Sequence, residues 1–560
     1  MRWGRMWDWL SMAAAACLLS AAPAAGAQIA NPGTGAASAP AIDRERADRV
    51  EPGIPSAPPA TPRPPAPSVN LSPGAEPAAS VRLARVIYMG ASLPAAGLDK
   101  AVAPFTGRPL TRETLQEVAG AVSAAYARSD IAFYAVSIPA QIPAAGQLIV
   151  RVVEGRVTDY RLAGLSPSMP VRLIDAHMKR VMAGAPLRKS VLERALSLMR
   201  DIPGQTVDAR VRQGVKAGDL IIDLIVKRKQ LQIGVMIDNS GVSNVVDGVQ
   251  AQLSVTANGV LREGDSTRVA GYLPFYPERY QLYSLSHSTP IGTNGMTLSA
   301  NAAHVKSRQR DGMIEGEATL AGIAISHPLI RSNKSNLTVN ASIDGVDSSN
   351  YYLDVRFGDY KSRAVRLGAS WSNADGTSGE AASAVVSQGV GILGAKAFAG
   401  FSEVGFTKAN MQAVAVRSLS KRLSVKISVK GQYSRDRLPV TERFALGGRG
   451  AGMAFRLGVR TAEQAAAASA EVSWTLPPKT VPFKEAALFA YADGAVAHAV
   501  ARPFYRLAAE DYSLASAGGG VRVALGGKWR ASAEVAVPVK RPDRAHSGRA
   551  QFFFGLGRAF

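Results

Sequence analysis

From Leu231 to Phe560 the chain alternates hydrophobic and polar residues with a period of two. Leu231, Ile233, Val235 and Ile237 take one face, and Gln232, Gly234, Met236 and Asp238 take the other. Further on, Leu423, Val425, Ile427 and Val429 alternate with Ser424, Lys426, Ser428 and Lys430. A period of two builds strands with one apolar and one polar face. In a soluble sandwich the apolar face covers a core. In a membrane barrel it faces lipid, and the polar face lines the lumen. A single soluble sandwich of about 330 residues is uncommon, so the pattern predicts a transmembrane β-barrel. Strands of about ten residues plus their connections give about 16 of them. The last strand places Phe552, Phe554, Leu556 and Phe560 on one face, interrupted by Arg558. A terminal Phe on an alternating strand is a common ending for bacterial outer-membrane barrels.

Upstream the period changes to that of small α+β units. Val81 to Met89 reads as a strand. Thr111 is a candidate N-cap, and Leu115, Val118, Val122 and Tyr126 then recur at helical spacing. Phe133 to Ile138 and Gln147 to Val153 read as strands parted by Pro139, Pro143 and Gly146. The stretch 158–228 repeats the plan. Tyr160 to Leu162 opens it, a helix from Ser190 turns Val191, Ala195, Leu198 and Met199 inward, and strands lie at Thr206 to Val211 and Leu220 to Val226. A repeat of this size predicts a modular array.

Residues 28–80 are rich in Pro, Ala and Ser, as in Ala57-Pro58-Pro59 and Arg63-Pro64-Pro65, and predict an extended spacer. Ala41 to Val50 is a short charged segment within it. Before that, Arg2 and Arg5 precede an apolar run from Met12 to Leu19 and the small residues Ala24-Ala25-Gly26-Ala27. This is the layout of a secretory signal peptide ending at Ala27. The expected division is therefore 1–27 signal peptide, 28–80 linker, 81–157 and 158–228 two small α+β domains, and 229–560 barrel.

Composition narrows the function. Lys+Arg 65 against Asp+Glu 43 gives +22, but 47% hydrophobic with 19% charged residues fits apolar faces turned to something other than a compact core. An exported chain has no nucleic-acid partner, so the charge belongs to a pore wall or membrane surface. The sole cysteine, Cys17, lies in the signal segment, which excludes disulfide and thiol chemistry after it. The 6 histidines lack paired-ligand spacing, and no Gly-x-Ser-x-Gly elbow or phosphate loop occurs. No catalytic residue, metal or cofactor is expected.

Particular motifs resemble those of the outer-membrane translocators of two-partner secretion, also called hemolysin secretion/activation proteins. In the first domain these are Phe105-Thr106-Gly107-Arg108-Pro109-Leu110-Thr111, Ile138-Pro139-Ala140-Gln141 and Val152-Val153-Glu154-Gly155-Arg156-Val157. In the second they are Leu192-Glu193-Arg194-Ala195-Leu196 and Asp201-Ile202-Pro203-Gly204. Asp238-Asn239-Ser240-Gly241, Gly431-Gln432, Leu438, Glu442, Phe444, Leu446-Gly447-Gly448 and Ala515-Ser516-Ala517-Gly518 follow in family order. The resemblance implies two polypeptide-transport-associated (POTRA) domains in the periplasm, a barrel, and a loop folded into its lumen. It also implies a secreted exoprotein with a two-partner secretion domain as client, outer-membrane lipids as surroundings, and barrel-assembly machinery for the chain's own insertion. An insertase of the same superfamily is the alternative.

One position departs from the family. Its lumen loop usually carries an arginine that pairs with a barrel-wall aspartate. Here Gly452-Met453-Ala454-Phe455 puts Met453 in that place, and Asp493 beside Gly494 resembles the aspartate. The resemblance leaves Asp493 without its charge partner, a role open to Arg449 or Arg456. For the client, the candidate docking edge is Phe133 to Ile138, including Ala135 and Val136, where unpaired N–H and C=O groups could add an extended strand. Ala41 to Val50 is a candidate pore plug.

Overall fold

The computed structural model describes residues 52–54, 67–69 and 81–560, apart from 142–143, 167–168, 244, 247, 478–482, 545 and 547. The signal peptide, most of the linker and the candidate plug Ala41 to Val50 lie outside the described residues.

The first domain consists of β1 (Ser68–Val69), β2 (Arg85–Met89), α1 (Ala95–Val102), α2 (Arg112–Arg128), β3 (Tyr134–Ile138) and β4 (Gln147–Glu154), with sheet order β1-β3-β4-β2. Thr111 caps α2 by accepting the Thr114 N–H at 3.2 Å. The apolar stripe Leu115, Val118, Val122 and Tyr126 is buried against the sheet, as its spacing predicts. α1 was absent from the sequence reading: its Ala-Ala-Gly start has no side-chain cap. Two motifs acquire physical roles. The Gln141 amide pairs in both directions with Ile149, donating to its carbonyl and accepting from its N–H at 2.8 Å, like one more residue of strand. Glu154 accepts from Ser92 N–H at 2.8 Å and Tyr126 OH at 2.6 Å, tying helix to sheet.

The second domain repeats this with β5 (Arg156–Ala163), α3 (Arg172–Met182), α4 (Lys189–Arg200), β6 (Gln205–Gln213) and β7 (Asp219–Arg228), in order β5-β7-β6. The junction is earlier than the expected 157/158, because Arg156 already pairs with Asp219 in the second sheet. Gly155 is the hinge point. A Cβ there would lie 2.7 Å from both Leu220 and Phe133 side chains, so only glycine lets the two sheets meet this closely. The additional helix α3 turns Ile174, His177, Met178 and Val181 inward.

After β7 a closed barrel forms from sixteen strands, from Leu231–Asp238 to Gln551–Ala559, all paired antiparallel. Outward positions are apolar and exposed: Leu253 54%, Leu367 64%, Met411 66% and Ile427 48%. Their inward neighbours include Arg366 and Lys408, both buried. Large apolar side chains exposed all round a closed sheet require lipid, not water, as solvent. No helix among the described residues is long and apolar enough to cross a membrane; the strands do so.

The seam between last and first strand spans Gly555↔Asp238 to Ala559↔Gly234. The Asn239 side chain extends it, donating to Phe552 O and accepting from Phe554 N–H, both at 2.8 Å. The second domain docks on barrel turns away from this seam, the main one joining Ile314–Arg331 to Ser335–Tyr352. Arg331 makes a two-pronged ion pair with Asp201 at 2.5 and 2.6 Å, and Arg194 donates to Pro328 O at 2.9 Å.

Candidate functional site: the loop folded into the lumen

An empty sixteen-stranded barrel would hold an aqueous channel. Here residues 434–463, between the strands Leu423–Tyr433 and Gln464–Thr475, fold back inside. Phe444–Leu446 and Arg460–Ala462 pair as a short hairpin stalk, with Phe444 opposite Ala462.

Each leg of the stalk carries a fully buried glutamate. Glu442 meets Arg366 at 3.0 Å and Lys408 at 2.7 Å, and Arg366 also grips Asp344 and donates to Ser387 Oγ at 2.8 Å. Glu463 meets Arg443 at 2.8 Å and Arg502 at 2.6 Å, and accepts the Val500 N–H at 3.0 Å. The Phe401 ring lies 4.9 Å from the Arg443 guanidinium and 4.6 Å from that of Arg502. Charges this deep persist only when paired and hydrogen-bonded, so the two clusters fix the loop in one position.

The tip turns through Gly447, Gly448, Gly450 and Gly452, all at positive φ. At Gly452 (φ +103°) a Cβ would also stand 2.1 Å from Leu514. Close approach lets the Gly452 and Met453 N–H groups reach Asp493, each donating at 3.0 Å, while Ser516 donates its hydroxyl to the same carboxylate. Asp493 thus has no arginine among these contacts, and the place left open to Arg449 or Arg456 is filled by main-chain and hydroxyl donors. Main-chain N–H groups solvate the carboxylate, and Met453 packs with Phe455, Leu446 and Leu514 against the wall. Arg449 instead pairs with the buried Glu534 at 3.1 Å, and Arg456 donates to Asn239 O at 3.0 Å, joining the loop to the seam. Gly494 lies next to Asp493, where a Cβ would come within 3.0 Å of Leu514 O.

Beside the tip remains a cavity of about 390 Å³ lined by Lys426, Ser428, Lys430, Arg449, Glu471 and Arg522. The lysine face of Leu423–Tyr433 thus looks into the lumen, as alternation predicts.

The profile of the haemolysin secretion/activation protein ShlB/FhaC/HecB family matches residues 218–523, and that of the ShlB-type POTRA domain matches 81–155. The chain belongs to the haemolysin secretion/activation protein family. It is an outer-membrane translocator of two-partner secretion. Among solved structures, CdiB from Escherichia coli is similar with TM-score 0.72 at 19% identity, covering 96% of this chain and 100% of that one. CdiB from Acinetobacter baumannii gives 0.61 at 14%, covering 99% and 97%. BamA from Haemophilus ducreyi lacking POTRA domains 1–3 gives 0.52 at 14%, covering 86% and 100%. These likenesses concern the fold. No curated protein sequence matches.

The other expected site residues of the translocator are placed as follows. In the first POTRA domain, Val136 and Ile138 point into the core at 3% and 1% exposure, and Phe133 packs toward the second domain. Only the main chain of β3, with Ala135 half-buried, is left to meet a partner. At the C-terminus Phe552 and Phe560 are exposed on the outer face and Phe554 is half-buried. Arg558 does not break this face: its guanidinium lies 4.1 Å over the Phe560 ring and 5.4 Å over Trp529, an aromatic rim at the POTRA end. Arg366, Lys408, Glu463, Arg502 and Glu534 were missed in the sequence. For Arg366, Lys408 and Glu534 the only local signal is a charge at an inward position of a strand, as for Arg366 between Val365 and Leu367; Glu463 and Arg502 lie outside the barrel strands and carry none.

Proposed function

We propose that the translocator receives its exoprotein in the periplasm as an extended segment on the β3 edge of the first POTRA domain. It then passes that segment through the lumen, beside or in place of the loop 434–463, to the cell surface. The observation that carries this reading is the second POTRA domain fastened to the barrel rim through Arg331–Asp201, with the first domain's sheet meeting it at Gly155 and a loop held by ion-pair clusters in the lumen. Main-chain pairing is tolerant of sequence, which suits an unfolded client. Tyr134, Val136 and Ile138 of β3 are committed to the core and Ala135 and Ser137 are small, so recognition there falls to N–H and C=O groups.

Nothing in the passage makes or breaks a covalent bond, and no cofactor is called for. Folding of the exoprotein outside supplies the direction. The outward apolar residues contact outer-membrane lipid, and the strand ending at Phe560 serves the chain's own insertion by the barrel-assembly machinery.

Ala135→Pro tests the docking edge. Ala135 pairs with Val153 of β4, so proline there breaks the ladder that holds β3 in place and with it the docking edge. The expected result is loss of the exoprotein from the medium while the barrel remains in the outer membrane in normal amount. Undiminished release would exclude this edge. A general fall in other barrel proteins would favour an insertase.

A further inference from the structure

The β3 edge is not bare. Ser68–Val69 of the linker lies along it as a parallel strand, with Ser68 opposite Ser137 and Val69 opposite Ile138. The sheet order β1-β3-β4-β2 places this linker strand on the side of β3 that a client would need. Val69 also packs onto the core formed with α2, so the contact has a side chain as well as main-chain pairing.

The strand is short for a reason written in the sequence. Pro67 precedes it and Pro73 follows shortly after, and proline has no N–H to add to a ladder. At most the five residues between those prolines could pair. β3 itself runs from Tyr134 to Ile138, so among the described residues Tyr134, Ala135 and Val136 have a strand partner on their β4 side alone. An incoming extended segment could start on these three residues and advance along β3, replacing the linker one pair at a time.

We propose that Ser68–Val69 is a displaceable placeholder on the client's docking edge. It keeps the edge from pairing with other exposed strands, a standing hazard of open sheets. The exoprotein takes the edge by strand exchange. Because the placeholder is tethered, it competes intramolecularly, and a client sees its affinity reduced by the fraction of molecules in which the edge is open. This proposal rests on the β3 docking reading above.

The test is a reversible lock. Ser68→Cys with Ser137→Cys joins residues that are register partners, within the span of a disulfide. Cys17 is the only other cysteine. The readout is the protein band that disappears from the culture medium when the gene is deleted. With the pair oxidised, release should fall to about a tenth or less, and a reductant should restore it. Either single cysteine should show no dependence on the reductant, whatever its release relative to the parental level. Val69→Asp, which expels the strand without touching β3, should keep release at or above that level. Full release from the oxidised pair would overturn the exchange, as would loss of release in Val69→Asp. If Ala135→Pro stops release and the lock does not, docking stands and displacement falls. If neither affects it, the docking reading itself falls.

Discussion

At the scale of single residues, the lumen loop is held by a few groups whose removal leaves a buried polar atom behind. Asp493 receives two loop N–H groups and the Ser516 hydroxyl. Asp493→Ala orphans these donors, and each buried unsatisfied group costs about 1–3 kcal/mol. Increased hydrogen exchange at Gly452 and Met453 is the expected result; unchanged protection would mean that the apolar contacts of Met453 and Phe455 alone hold the tip. Glu442→Ala strips Lys408 and Arg366 of a shared carboxylate, a loss of about 3–5 kcal/mol for a broken buried pair. Its barrel should conduct ions several-fold better in a planar bilayer than the parent. Equal conductance would show that the loop stays docked without this anchor. Asn239 belongs to the same class: it sews the closing seam with its side chain while its carbonyl receives Arg456.

At the scale of elements, alternation carried the most information. A charge on the lipid face of a barrel strand costs about 2–4 kcal/mol near the membrane midplane. Ile427→Lys, on the outer face, should therefore reduce the amount of folded barrel. Ser428→Lys, one residue on, should not. Equal yields from both would contradict the assigned faces. The helix α3 makes a different prediction. Burial lowers the His177 pKa from 6.5 to about 4, with Arg180 and Arg194 adding repulsion and Asp201 opposing. Between those values the unfolded chain takes a proton that the folded domain refuses. Stability present above pH 6.5 is then lost as pH falls toward 4, by about 3 kcal/mol in full. Limited proteolysis of the whole protein at pH 7 and pH 5 should show the second POTRA domain opening at pH 5, and His177→Gln should flatten the difference.

The elements that escaped the sequence reading did so for identifiable reasons. α1 is only Ala95–Val102 and lacks a side-chain cap. α3 buries a histidine where the pattern wants an apolar residue. β1 is a pair of residues among prolines, where composition argues for spacer and only the tertiary neighbour makes a strand. The Thr111-capped helix and the lysine face of Leu423–Tyr433 were legible because each repeats one simple preference over many residues. The loop clusters have no local pattern, since Arg366 and Glu442 meet from strands and loops 76 positions apart. Asp493 was found through resemblance, but its partners were not: backbone N–H groups leave no mark in a sequence.

At the scale of the whole molecule, a pair of sheet-edged domains, a rim joint and a plugged barrel form one path. The joint is direct, with Arg331–Asp201 and Arg194 fastening the second POTRA domain to barrel turns. A client held on the POTRA edges is thereby kept close to the lumen mouth, where binding raises its effective concentration. In the proposed route both ends are covered by the chain itself, the edge by a linker strand and the lumen by a loop. The most direct measurement compares proteins in the culture medium and the outer membrane of a strain lacking the gene with those of its parent. The account expects one large exoprotein to vanish from the medium, with other barrel proteins at normal levels in the membrane. An unchanged medium, or a broad fall in barrel proteins, would contradict it.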